Sequence, residues 1–147
     1  MHPLRKCLTP LRVGGSVRTD RRRVTLSSIG AFACSTWDTF YAHTGGQGAA
    51  ANTFFPGIVA HGYLLLSWAA GLFVSPEPGP VLANYGLESA RFLKPVAAGD
   101  SIRVTLTAKK ITQWETDDHG EVCWDAVLHN QDDEIVATYD VLTLVEK

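Results

Sequence analysis

The chain has 147 residues, 46% of them apolar and 19% charged, with a formal net charge of −2. That length suits one domain with a sizeable core, and the mix excludes a disordered chain, a coiled coil and a disulfide miniprotein. The near-neutral charge gives no reason to expect nucleic-acid binding by the whole chain; a charged fraction below the roughly 25% usual for soluble domains fits a surface partly hidden by self-association.

Residues 1–11 carry charge but no apolar run, so they do not read as a secretory signal. They are expected to form a loose tail ahead of one domain over 12–147. Cys7, Cys34 and Cys123 are odd in number, far apart and in no metal spacing, which predicts reduced thiols and a cytoplasmic setting. Residues 16–25, SVRTDRRRVT, predict an edge-type strand. Its Arg18, Arg21, Arg22 and Arg23 form either a solvated face or contacts to ligand phosphates. Leu26, Ile29, Phe32 and Ala33 recur at helical spacing and predict a helix over 26–36. Residues 37–57 are aromatic, Gly-rich and irregular, with one short helix expected around the alanines at 49–51.

The run Ile58–Val74 is the most apolar. Its 17 residues lie at the short end for a bilayer span, it contains His61 and Ser67, and Pro56 and Pro76 bracket it without basic anchors. It predicts a buried helix over about 59–73, stopped by SPEPGP at 75–80, and no membrane association. The second half reads as sheet. Segment 81–93 is a strand candidate. Ile102, Val104, Leu106 and Ala108 alternate with polar residues over 101–110, and Val122, Trp124, Ala126 and Leu128 do so over 121–128. Asn130–Asp133 reads as a turn joining 121–129 to 134–145 in a hairpin. An apolar helix that needs cover and an antiparallel sheet able to curl round it make a single α+β domain.

Two stretches could carry chemistry. In CSTWDTFYAH, Asp38 and His43 are five positions apart, a rotation of about 140° on a continuous helix. A joint role therefore needs a turn or loop between them. A carboxylate beside an imidazole activates water near neutral pH. In FPGIVAHGY, Gly57 and Gly62 allow close approach to the backbone where the apolar helix starts, and free N–H groups there bind an oxyanion. His61 reads either as part of that site or as a core-edge histidine bonded to backbone. No metal spacing and no Gly-rich dinucleotide loop is present in the sequence.

Four stretches, DTFYAH, VAHGYLLLSWAAGLFV, GPVLANYGLESARFLKPVAAGDSIRV and ATYDVLTLV, resemble the MaoC-like (R)-specific enoyl-CoA hydratases. Within that family they are most similar to the hydratase domain of bifunctional oxepin-CoA hydrolases of phenylacetate catabolism. The resemblance runs from about Leu11 to Val145. It implies a hot-dog fold, a sheet wrapped around a central helix, and makes Asp38 and His43 the catalytic pair. It places Gly62 at the amide that binds the thioester oxygen, with His61, Gly57 and Tyr41 as further substrate-binding candidates. Two departures stand out. Trp37 occupies the position where the general family motif has glycine, and TGGQGAAAN after His43 lacks the usual acidic residues.

The resemblance further implies hydration of an acyl-CoA thioester without a cofactor, since coenzyme A is part of the substrate. Straight-chain, aromatic-derived and cyclic acyl groups all remain open, and Arg91 and Lys94 are candidates for the CoA phosphates. Hot-dog domains commonly pair edge to edge, so a homodimer or an assembly of dimers is expected. An aldehyde dehydrogenase on another chain is a further implied partner. The rival readings are a hot-dog acyl-CoA thioesterase, a non-catalytic acyl-CoA-binding subunit and, weakest, a membrane-associated protein.

Overall fold

The computed structural model describes residues 2–45, 51–55 and 57–147. The short helix expected at 49–51 lies largely outside them. The described residues form three α-helices, α1 (Leu26–Thr36), α2 (Tyr41–Thr44) and α3 (Gly62–Phe73). The strands are β1 (Ser16–Arg18), β2 (Arg22–Arg23), β3 (Val81–Phe92), β4 (Ser101–Gln113), β5 (His119–His129) and β6 (Ile135–Glu146). The sheet order is β1-β4-β5-β6-β3, with β2 also on β4, and every pairing is antiparallel.

The period-2 pattern sets the core. Ile102, Val104, Leu106 and Ala108 of β4 and Val122, Trp124, Ala126 and Leu128 of β5 are all buried. Each valine, leucine or isoleucine side chain among them, taken fully out of water, contributes about 1.5–3 kcal/mol. The indole N–H of Trp124 donates to Thr143 Oγ1 at 2.9 Å, so its one polar atom is satisfied in the interior. Leu64, Leu65, Ala69 and Phe73 of α3 are buried within the same core. The other side of α3 is less covered than its composition suggests: Tyr63 is 71% exposed, and Leu66, Trp68 and Leu72 are half-buried.

Helix α1 forms where its spacing places it. Thr25 has an extended backbone and its Oγ1 accepts from the Ser28 amide at 3.0 Å, satisfying one orphan donor of the first turn. Helix α3 begins at Gly62, three residues later than the expected start at 59. Val59 instead bridges to Ala97, and the Ala60 amide donates to Val96 O at 2.8 Å, so 59–60 are extended. The edge strand expected over 16–25 is broken in two. Thr19 bonds β4 through both its amide and its hydroxyl, and Arg21 turns toward the β5–β6 turn, donating to Asn130 O and Asp133.

That turn employs the basic cluster. Arg18, Arg21 and Arg103 all donate to Oδ1 of Asp133, which sits at φ +60°, and Arg22 lies 3.5 Å over the Trp68 ring. The hydrogen bond from Arg103 is the largest cause holding the Asp133 carboxyl below the usual carboxylate range. These guanidiniums bind parts of their own chain. No described helix is long and apolar enough to cross a membrane.

The opening segment is not loose. Pro3–Arg5 form a turn of 3₁₀ helix, Leu4, Leu8 and Leu11 are buried in the core, and the Leu8 amide donates to Glu146 O at 2.9 Å. The leucines at 4, 8 and 11 were short of a helical run, but they cover the end of β5, where Leu8 lies against Gly120. Leu8→Ala should therefore destabilise the fold by about 2–5 kcal/mol, as truncation of a buried leucine does. Urea unfolding followed by tryptophan fluorescence checks this; a loose tail would give no change.

Candidate active site

Residues 58–60 are the hub on which the site is hung. The Val59 amide donates to Ala42 O at 3.0 Å, and the Ala98 amide donates to Ile58 O at 3.2 Å. Short helix α2 is thereby fixed against the start of α3. His43, on α2, donates from Nδ1 to Val59 O at 2.7 Å, which leaves Nε2 as the nitrogen with a lone pair. Asp38 lies in the loop between α1 and α2, where its Oδ1 accepts from the Phe40 amide at 3.4 Å. The required break between Asp38 and His43 is present. It consists of a loop through Phe40 followed by one helical turn.

His61 is the N-cap of α3, but its side chain does not cap the helix. It turns back, donates from Nε2 to the backbone oxygen of Asp38 at 2.9 Å, and stacks on His43 with ring centroids 3.8 Å apart. A carboxylate oxygen of Asp38 and one ring nitrogen each of His43 and His61 lie within 4.8 Å of one another. This three-residue cluster has metal-ligand chemistry that the spacing along the chain did not reveal. The stack weakens it as a cation cage. The two ring planes are only 24° apart, so an ion in the plane of one imidazole lies well out of the plane of the other.

Asp38, His43, His61 and Gly62 line one cavity of about 470 Å³. Its walls are mostly apolar, with Phe54, Phe55, Val59, Tyr63 and Leu65 on one side and the chain from Phe92 to Val96 on the other. The α3 N-terminus opens beside it with no side-chain cap, so amides of its first turn are free to donate to an anion. Gly62 is tightly held there. A Cβ at this position would come within 2.5 Å of the Phe92 ring.

The other candidates fall elsewhere. Gly57 meets a backbone demand, φ +150°, in the loop before Ile58 and does not line the cavity. Tyr41 packs against Phe40 with tilted rings 4.4 Å apart, accepts from Asn52 and also stays outside it. Lys94 lines the cavity and pairs with Glu134, whereas Arg91 donates to its neighbour's carbonyl. Trp37 is 89% exposed and is not among the residues that line the cavity. The residues missed by spacing are Phe92, Leu93 and Pro95. Their signal was the FLKP run, where an exposed strand ends in large apolar residues followed by proline.

A helix enclosed by a curled antiparallel sheet, with a carboxylate and an imidazole at the helix start, defines a hot-dog domain with a candidate acid–base site. The family model described as "MaoC like domain" matches residues 10–127, and the chain belongs to that family. It is 45% identical over 127 residues to protein MaoC of Klebsiella aerogenes, covering 84% of this chain and 38% of that protein. It thus spans well under half the length of that relative. A monoamine oxidase regulatory protein from Archaeoglobus shares 28% identity and a TM-score of 0.89, over 97% of this chain and 95% of that one. The MaoC-like dehydratase from Rhodospirillum rubrum shares 25% identity and a TM-score of 0.85, over 97% of both chains. The R-hydratase PhaJ1 from Pseudomonas aeruginosa, at 21% identity over 96% of this chain and 86% of that one, shares the fold with a TM-score of 0.77.

The contact between Gly62 and Phe92 gives a direct check on the cavity wall. Gly62→Ala should displace the Phe92 ring and lower the midpoint of thermal unfolding, with a smaller loss when it is introduced into Phe92→Ala. Circular dichroism melts of both single variants and the double variant measure this; additive losses would mean the two residues do not interact.

Proposed function

We propose that this chain adds water across a carbon–carbon double bond conjugated to an acyl-CoA thioester, with Asp38 and His43 as the catalytic pair. The observation that carries the reading is their convergence, within 4.8 Å, in an apolar cavity at the uncapped start of α3. A span that short lets one water hydrogen-bond to both groups. The dehydratase name carried by the family's relatives supports the same reaction class.

In this mechanism the water oxygen attacks Cβ while its proton passes to the Asp38/His43 pair. The electrons of the double bond move toward the thioester carbonyl, and its developing negative charge is stabilised by α3 amides at Gly62. The same pair returns a proton to Cα, so the sum is addition of H and OH with the thioester intact. Residues of this chain supply every proton transfer, and the proposal includes no metal or redox cofactor. His43 presents the free Nε2 because Val59 O fixes the tautomer at Nδ1. The mostly apolar walls lower the local dielectric, which strengthens these interactions.

The resemblance in the sequence favours a ring-derived ester such as oxepin-CoA as the finer substrate. Hydration of its enol-ether bond would open the ring to an aldehyde, and a separate aldehyde dehydrogenase would consume that product. The test follows loss of the conjugated enoyl-thioester absorbance together with thiol release. Absorbance should fall without free thiol, and Asp38→Asn and His43→Ala should each lower kcat by roughly 10²–10⁴-fold. Thiol release would instead mark a thioesterase, and ligand binding without turnover a binding subunit.

The unpaired side of β3 supports a homodimer as the working form. Leu82, Tyr85, Leu87 and Phe92 along this edge are each about half exposed, and a long apolar edge is a template for pairing with a second copy. Leu87→Asp should shift the wild-type dimer toward monomer in sedimentation equilibrium. An unchanged mass would place the interface elsewhere.

A further inference from the structure

We infer that His61 is a positioning residue, which holds the Asp38 carboxylate in register with His43 through a hydrogen bond to the Asp38 backbone. The inference rests on the catalytic pair proposed above. His61 is 1% exposed, so its ring has almost no surface to offer a substrate. It nevertheless touches both members of the pair, stacking on the His43 ring at 3.8 Å and donating to Asp38 O at 2.9 Å. It is also packed against Phe32 of α1, with ring centroids 4.9 Å apart. One buried imidazole thus joins α1, the Asp38 loop and the start of α3.

The two partners depend on it unequally. His43 has its own anchor, the 2.7 Å bond to Val59 O. The Asp38 segment is held by weaker contacts: its amide reaches Thr36 Oγ1 at 3.3 Å, and its carboxylate accepts from the Phe40 amide at 3.4 Å. The bond from His61 is the shortest of the hydrogen bonds formed by Asp38. A hydrogen bond of normal length in the interior locates a loop far better than two long ones at the surface. The Nε2–H donor therefore matters more than the aromatic ring.

Two substitutions separate these features. His61→Phe keeps a ring against His43 but removes the donor; His61→Gln loses the ring but can still extend an N–H toward Asp38 O. With an enoyl-CoA that the wild type hydrates, His61→Phe should lower kcat by about 10²-fold, the scale of a small misplacement of a reacting group. KM should change less than kcat, because His61, though it lines the cavity, is 1% exposed and offers a ligand little surface. His61→Gln should regain most of that loss. Circular dichroism and cooperative thermal unfolding establish that each variant is folded. Wild-type kcat in folded His61→Phe, or His61→Gln no better than His61→Phe, overturns the inference. If His61→Phe does not fold, His61→Gln decides alone: kcat near wild type supports it and a 10²-fold loss overturns it. Absence of hydration by the wild type itself overturns the proposed activity instead.

Discussion

The site depends on a short extended segment, Ile58–Ala60, that the strongly apolar sequence would otherwise carry into a helix. Four of its six backbone polar groups are paired among the described residues: Val59 N–H with Ala42 O, Ala60 N–H with Val96 O, Ile58 O with the Ala98 amide, and Val59 O with the His43 ring. Two of these bonds reach α2 and two reach the stretch after β3. Together they stop α3 at Gly62, hold α2 in place and bring the stretch after β3 over the helix start. A buried backbone must find partners or lose stability. Here those obligatory partners are also the elements that carry the candidate catalytic groups. Were 59–60 helical, His61 would turn with the helix, and the stack on His43 would not form.

This division explains what was legible in the sequence. The β4 and β5 alternation and the β5–β6 turn are local patterns, and the structure follows them almost residue for residue. Helix α1 was legible for the same reason, although its cap, Thr25, falls in the stretch expected as strand. The start of α3 was not, because the competition between helix and bridge is decided by Ala97 and Val96, about forty residues downstream. The N-terminal leucines were misjudged for a similar cause. Their i, i+4, i+7 spacing is helical, but only Pro3–Arg5 form a helical turn, and their burial is set by the far end of β5 and β6.

The site was legible as a set of residues and illegible as an arrangement. Asp38, His43, His61 and Gly62 were singled out by residue type and by resemblance, and the fold brings all four to one cavity. Tyr41 and Gly57 belong to the same motifs and lie outside it, since neighbours in a motif need not face the same way. The opposite wall, Phe92–Val96, comes from the end of an edge strand whose residues are exposed on both faces. No periodicity could mark such residues as a wall. The arginine cluster, read as a solvated face or as contacts to ligand phosphates, is instead largely engaged by Asp133 and Trp68 of its own chain.

Trp37 shows which property of the family pattern the fold retains. It closes α1 at φ +63°, ψ +12°, in the left-handed region where a Cβ costs about 1–2 kcal/mol. Glycine meets that demand without penalty, which gives a backbone reason for its place in the general motif. The present chain keeps the conformation and accepts the strain. The indole gains little burial in return, being 89% exposed and outside the cavity. What must be preserved before Asp38 is therefore the left-handed turn that ends α1 and directs the chain back toward His61. The indole stands outside the cavity that Asp38 lines, so the demand at position 37 falls on the backbone and not on the side chain.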